Sequence, residues 1–138
     1  MKVTLERVGH VAFEARSELG VQIVIDGSPA IGGEGRGMRP MELLLAAVAS
    51  CSAMEVVHIL VNKQKEPLEG LRVEIEGQRA EGLPSPFTAM KVVYIAKGNV
   101  DEHKLERAVS LGLEKYCSAR ATIPGVELTW EARHEPST

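Results

Sequence analysis

The sequence predicts an α+β fold with the element order βββ-α-ββ-α-β, in a single domain that spans residues 1–138. Three observations lead to this prediction. Short segments alternate apolar and polar residues with a period of two, two longer segments have helical spacing, and helices do not follow every strand. The length allows one hydrophobic core, and a composition of 44% hydrophobic and 25% charged residues excludes a disordered or collagen-like chain.

The first 25 residues predict three short antiparallel strands, because two turns interrupt their alternating pattern. The segment 32–37 follows, and its four glycines in six residues exclude regular structure. With Arg36 and Arg39 it resembles an anion cradle ahead of a helix. It lacks the phosphate-loop pattern and contains Glu34, however, so we favour a flexible loop.

A long helix is predicted from Pro40 to about Lys65, ending before Pro67. Its middle, Leu43 to Val61, is apolar on almost every side and approaches a membrane-spanning length. Polar residues interrupt this run, which favours a buried central helix of a protein that does not enter the membrane. They are Ser50, Ser52, Glu55 and His58. Covering such a helix needs more surface than one small sheet offers, so we expect a homodimer.

The second half predicts a hairpin, a helix and a final strand. Alternation over 71–75 and over 90–96 indicates the two strands of the hairpin, and Val126 to Ala132 a last strand. Asn99 or Asp101 is suited to cap the intervening helix. The apolar stripe of that helix comprises Leu105, Ala108, Val109, Gly112 and Tyr116. A glycine costs a helix about 1 kcal/mol relative to alanine, so Gly112 indicates close packing.

Composition also limits the partners. A net charge of −3 with dispersed basic residues and few aromatic side chains argues against nucleic acid. The N-terminus has no apolar export signal, so we expect a cytoplasmic protein. His10, His103 and His134 are isolated from one another and no zinc-binding spacing occurs, so we expect no metal or other cofactor.

Cys51 lies in the middle of the first helix and Cys117 near the end of the second. Either cysteine alone is more often a buried core residue than a reactive one. The pair becomes a candidate redox site if the two Cα atoms lie within about 7 Å. Cys51 is then the better nucleophile, because a thiolate is disfavoured at the negative C-terminal end of a helix, where Cys117 stands. Cys51 lies roughly 16 Å from its own helix start, so we expect a cation from another segment or subunit.

Cys51, Glu55 and His58 share one face of the first helix. They could be three metal ligands, or a thiol with its base. We discount both arrangements because the first and last residues lie about 10 Å apart along the axis. We expect Glu55 and His58 to pair with each other or across a dimer interface.

Residues 39–57, RPMELLLAAVASCSAMEVV, and residues 113–118, LEKYCS, resemble the OsmC/Ohr family of osmotically inducible and organic hydroperoxide resistance proteins. The resemblance covers nearly the whole chain and is strongest to the YhfA-like branch. It implies an OsmC-like fold, an intertwined homodimer and active sites at the subunit interface.

The resemblance also implies a thiol-dependent peroxidase. Cys51 would become a sulfenic acid on reaction with a hydroperoxide, Cys117 would condense with it to a disulfide, and a dithiol such as dihydrolipoamide would reduce both. The family has a catalytic glutamate directly after the helix-starting proline. Here Met41 holds that position and Glu42 follows, about 100° further round the helix. Arg7 and Arg16 are candidates for the arginine that the family uses to hold the thiolate.

An apolar site favours organic hydroperoxides, and its expected lining residues are Leu45, Val48 and Met54. Two other hypotheses stay open. The same dimer could bind a small apolar ligand, with Cys51 as a packed or redox-sensing thiol. It could also be a structural, stress-linked protein without any chemistry.

Overall fold

The computed structural model describes residues 1–137, and the chain forms two compact units, one of Met1–Leu44 and one that begins at Leu45. The predicted α+β class and the order of strands and helices are confirmed. The prediction that residues 1–138 are a single domain stays a prediction.

The first unit contains the predicted three-stranded meander. Strands β1 (Val3–Arg7), β2 (Phe13–Ser17) and β3 (Gln22–Ile25) are antiparallel in the order β1-β2-β3. A single 3₁₀ turn follows at Pro29–Ile31. One face of this sheet is apolar and exposed. Its exposed side chains are Val3, Leu5, Phe13 and Ile23.

The glycine-rich segment 32–37 is held by a buried carboxylate. Asp26 is 2% exposed and accepts hydrogen bonds from the backbone N–H groups of Gly27, Glu34 and Arg36, at 2.8, 3.0 and 3.1 Å. These bonds, with that of Arg36 first, hold the pKa of Asp26 below its ordinary value. The segment therefore cradles an anion, which is the carboxylate of Asp26, and the expectation that the loop is flexible stays a prediction.

The long helix α1 spans Pro40–Val57 and continues as a wider π-helical segment, His58–Lys63, close to the predicted end. Over Pro40–Lys63 it is long and apolar enough, by length and composition alone, to cross a membrane. One third of its most apolar stretch is buried in the single chain. The large apolar side chains that it exposes are Leu44, Met54, Val57 and Val61.

The second unit contains a three-stranded sheet in the order β4-β5-β6. The predicted hairpin is formed by β4 (Leu68–Arg79) and β5 (Phe87–Gly98), and β6 (Glu127–Glu135) runs parallel to β5. Helix α2 (Glu102–Ser110) begins at the predicted cap, where the side chain of Asp101 accepts the backbone N–H of Lys104. A π-helical segment, Leu111–Tyr116, extends α2, and the short helix α3 spans Ser118–Thr122.

The core of this unit lies between its sheet and its helices. Gly112, on the extension of α2, contacts α1 closely, as predicted. A Cβ atom at this position would lie 3.2 Å from both the carbonyl oxygen of Ser52 and Cγ2 of Val56. Tyr116 was expected on the buried stripe, but it is 45% exposed. The wider turns of the π-helical segment change the angular spacing, which explains why the stripe ends before Tyr116.

Candidate thiol site

The fold brings together two cysteines that lie 66 positions apart in the sequence. Cys51 stands on α1 and is partly exposed, whereas Cys117 stands between the extension of α2 and α3 and is 3% exposed. Both are free thiols, and they lie close enough for each to shift the pKa of the other. The close approach at Gly112 is what allows the two helices to present their cysteines to each other.

The surroundings of Cys51 favour its thiolate. Its pKa is lowered chiefly because the backbone N–H of Ala119 donates to the sulfur, with further hydrogen bonds from the side chain of Cys117 and the N–H of Ser118. Burial and the negative charge of Glu55 act in the opposite direction. The sequence predicted a cation from another segment. The groups that the structure places at the Cys51 sulfur are backbone N–H groups of α3. They cannot be predicted from residue types in the sequence.

The surroundings of Cys117 favour the neutral thiol. Burial raises its pKa and outweighs the N–H of Arg120, which lies 3.3 Å from the sulfur. Its single proton has two acceptors within reach, the Cys51 sulfur and the carbonyl oxygen of Val48, 3.8 Å away. Cys117 stands directly after the extension of α2, as the sequence predicted, and it also caps the N-terminus of the short helix α3. The opposite pKa shifts of the two thiols therefore arise from burial and backbone hydrogen bonds.

A buried hydroxyl pair adjoins the cysteines. Ser52 donates to the carbonyl oxygen of Ala49 at 3.0 Å, and Tyr94 on β5 lies 2.6 Å from the same Ser52 oxygen. Because the one proton of Ser52 is engaged by Ala49, Tyr94 is the donor in the second bond. Burial raises the pKa of Tyr94 to about 12. In the sequence, Tyr94 is one position of the strand predicted over 90–96, and a buried tyrosine hydroxyl usually finds a hydrogen-bond partner.

Three other candidate residues belong to the first unit, and each has a local partner. Glu42 accepts the backbone N–H of Arg39 at 3.0 Å and so caps the start of α1. Arg7 donates to the carbonyl oxygens of Gly9 and His10. Arg16 forms an ion pair of 3.2 Å with Glu14. A role for Glu42, Arg7 or Arg16 at the thiols stays a prediction.

The expected pairing of Glu55 with His58 is not found among residues 1–137. His58 is exposed, and its Nδ1 lies 2.9 Å from Nδ2 of Asn62, one turn further along the helix. In the described part of the chain, no group of three or more His, Cys, Asp or Glu side chains is placed to hold a metal ion.

An apolar groove lies on α1. It has a volume of about 370 Å³ and is lined by Ser50, Ala53, Met54, Val57 and Leu71. Met54 is 69% exposed. Val48, which was expected to line the site, is instead buried in the core, and only its carbonyl group reaches Cys117.

Comparison with known proteins places this chain in a family. OsmC-like protein is the family that matches, over residues 33–131. Protein YhfA of Escherichia coli K12 is 33% identical over 119 residues, which cover 86% of this chain and 85% of YhfA. The crystal structure of a hypothetical protein from Aquifex aeolicus VF5 is similar with a TM-score of 0.85 and 32% identity, covering 98% of this chain and 96% of that one. The organic hydroperoxide resistance protein OhrB of Bacillus subtilis shares the fold, with a TM-score of 0.66 and 22% identity over 96% of each chain. The chain therefore belongs to the OsmC-like protein family.

Proposed function

We propose that this protein is a thiol-dependent peroxidase that reduces organic hydroperoxides and protects against oxidative stress. The observation that carries the proposal is the proximity of Cys51 and Cys117, which shift each other's pKa and whose pKa values move in opposite directions. Membership of the OsmC-like family supports a stress-related redox role. A lowered thiol pKa beside a second thiol is the arrangement that thiol peroxidation needs.

The proposed reaction has two steps. The Cys51 thiolate attacks one oxygen of the hydroperoxide, the O–O bond breaks, and the alkoxide leaves as an alcohol after taking a proton, which makes Cys51 a sulfenic acid. The Cys117 thiol then attacks the Cys51 sulfur, an S–S bond forms, and water leaves. A dithiol reductant of the dihydrolipoamide type restores both thiols and becomes a disulfide itself.

The environment of each sulfur suits its proposed step. The N–H groups of Ala119 and Ser118 stabilise the thiolate that attacks, so Cys51 reacts first. Cys117 stays protonated within hydrogen-bonding reach and meets the sulfenic acid without a large rearrangement. The apolar groove on α1, the helix that carries Cys51, supports an organic hydroperoxide as substrate.

The test is the consumption of cumene hydroperoxide with dihydrolipoamide as reductant. We expect turnover by the wild type, none above background for Cys51→Ser, and a sulfenic acid without a disulfide for Cys117→Ser. Intact-mass measurement after one equivalent of peroxide should show the loss of two hydrogen atoms from the wild type alone. Wild-type consumption no faster than that of Cys51→Ser would refute the proposal.

We further propose that the active form is a homodimer. Helix α1 exposes an apolar face in the single chain, as does the sheet of the first unit, and a second copy of the chain would remove both from water. Met54→Arg should therefore produce monomers in sedimentation analysis. Leu83→Arg is the matched control, because Leu83 is 99% exposed in a loop. A monomeric wild type would contradict this proposal.

We also place the protein in the cytoplasm, where thiols are kept reduced and a disulfide is transient. The apolar groove supports a second candidate function, which is the binding of a small apolar ligand by a redox-sensing dimer. A sensor would form the Cys51–Cys117 disulfide with peroxide but would not turn over with a dithiol. Steady-state consumption of peroxide therefore separates the two functions.

A further inference from the structure

We infer that the reductant attacks the Cys51 sulfur, and not the Cys117 sulfur, when it opens the Cys51–Cys117 disulfide. The inference rests on the proposed function for the disulfide itself. It concerns a later step, which the resemblance and the comparisons leave open: which half of the disulfide forms the bond to the incoming thiol.

Access to the two sulfurs is unequal. An incoming thiolate must approach the attacked sulfur from the side opposite the S–S bond. Cys117 is 3% exposed, with the carbonyl of Val48 and the N–H of Arg120 against its sulfur. Cys51 is partly exposed. Because the rate of thiol–disulfide exchange depends on access to the attacked sulfur, access favours Cys51.

The properties of the leaving group favour attack on the Cys117 sulfur instead. Burial raises the pKa of Cys117, and a thiol of higher pKa leaves more slowly. Two features reduce this disadvantage. The N–H of Arg120, 3.3 Å from the Cys117 sulfur, donates to the negative charge that develops there. The raised pKa then favours prompt protonation, which prevents the expelled thiolate from attacking back.

The step balances as a two-electron exchange. The thiolate of the dithiol forms a bond to the Cys51 sulfur, the S–S bond to Cys117 breaks, and Cys117 takes a proton. The second thiol of the reductant then attacks its own sulfur in the mixed disulfide. It releases Cys51 as a thiolate, which the N–H groups of Ala119 and Ser118 stabilise, and the reductant leaves as a cyclic disulfide.

A limiting amount of a monothiol provides the test, because a monothiol has no second thiol with which to resolve the mixed disulfide within the same molecule. Wild-type protein is oxidised with cumene hydroperoxide, or with diamide if peroxide produces no disulfide. Failure of the peroxidase and failure of this inference are thus distinguished. About one equivalent of glutathione is added, the reaction is quenched in acid at early times, free thiols are alkylated, and the adduct is located by peptide mass spectrometry.

We expect glutathione on Cys51 and the alkyl group on Cys117, with an excess over the reverse pattern of about tenfold or more. The single-cysteine variants provide a second measurement. Both are loaded with thionitrobenzoate, and dithiothreitol should release it faster from Cys117→Ser, in which Cys51 carries the adduct, than from Cys51→Ser. Glutathione on Cys117, on both cysteines alike or on neither overturns the inference. The absence of an internal disulfide with either oxidant does so as well.

Discussion

The hydroxyl oxygen of Tyr94 lies 2.6 Å from Oγ of Ser52, and neither side chain is exposed to solvent. This bond joins strand β5 to the turn of α1 that carries Cys51. Buried hydroxyl groups are costly unless they are paired, so each residue depends on the other. The pair therefore fixes the position of the nucleophilic cysteine relative to the sheet.

Removing either hydroxyl should destabilise the protein. Tyr94→Phe removes the donor to Ser52, and we expect it to lower the free energy of unfolding by about 1–2 kcal/mol. Ser52→Ala leaves the Tyr94 hydroxyl without its acceptor, at a cost of about 1–3 kcal/mol. Urea unfolding of the two variants and the double variant measures these effects. The double variant should lose less than the sum, and simple additivity would show that the two hydroxyls do not interact.

The reactivity of the thiols should depend on pH in opposite ways. Iodoacetamide should alkylate Cys51, in the Cys117→Ser variant, with a midpoint below that of a free cysteine peptide. Cys117, in Cys51→Ser, should react slowly and with a midpoint above it. Rates measured across the pH range provide both midpoints. Equal midpoints would show that the backbone N–H groups of α3 do not stabilise the Cys51 thiolate.

The lowered pKa of Cys51 also predicts how the stability of the protein changes with pH. The folded pKa of Cys51 is depressed, so its contribution to stability is complete above the unfolded pKa and is lost as pH falls through the folded pKa. Stability of the reduced wild type should therefore rise with pH across that interval relative to Cys51→Ser.

Gly112 should not tolerate even a methyl group. Gly112→Ala places a Cβ atom 3.2 Å from the carbonyl oxygen of Ser52, which is backbone and cannot rotate away. We expect overpacking of about 1–3 kcal/mol to exceed the helix propensity of about 1 kcal/mol that alanine adds. The matched control is Gly125→Ala, because a Cβ atom there meets nothing within 4 Å. Equal urea midpoints for the two variants would contradict the observed close approach.

The carboxylate of Asp26 should control the glycine-rich segment. Asp26→Asn removes the charge and replaces one acceptor oxygen by a donor, so either the N–H of Gly27 or the N–H groups of both Glu34 and Arg36 lose their acceptor, and the remaining bonds go to an uncharged oxygen. Amide hydrogen exchange at Glu34 and Arg36 should become faster. Glu18→Gln, at an exposed carboxylate of the same unit, serves as the control and should leave that exchange unchanged. Protection that survives Asp26→Asn would mean that the segment is ordered by other contacts.

Glu42 has two assigned roles that substitution can separate. Glu42→Ala removes the acceptor for the N–H of Arg39 and should lower stability by about 1 kcal/mol. Glu42→Gln keeps an acceptor oxygen and should lower it less. Loss of peroxide turnover in Glu42→Gln, at unchanged urea midpoint, would support the catalytic role that the family resemblance implies. If the loss of turnover in the two variants is proportional to their loss of stability, Glu42 has only the capping role.

Most of the fold could be predicted because local patterns in the sequence determine its strands and helices. Alternation predicted the strands, and Pro40 and Asp101 marked the starts of the two long helices. The neighbours of the thiols could not be predicted in this way. Every residue type except proline has a backbone N–H group, so the sequence does not single out those of Ala119 and Ser118. Only the folded path of the chain shows that they lie at the Cys51 sulfur. Asp26 escaped notice for the same reason, because its partners lie up to 10 residues away.

The 66 positions between the two cysteines have a consequence for chain entropy. A covalent link between them would close a loop of that length, and by the loop-closure relation it would restrict the unfolded chain by about 4 kcal/mol. Oxidised molecules would then resist unfolding more than reduced ones. Oxidation by peroxide would thus raise the thermodynamic stability of the folded chain, and each reduction would lower it again.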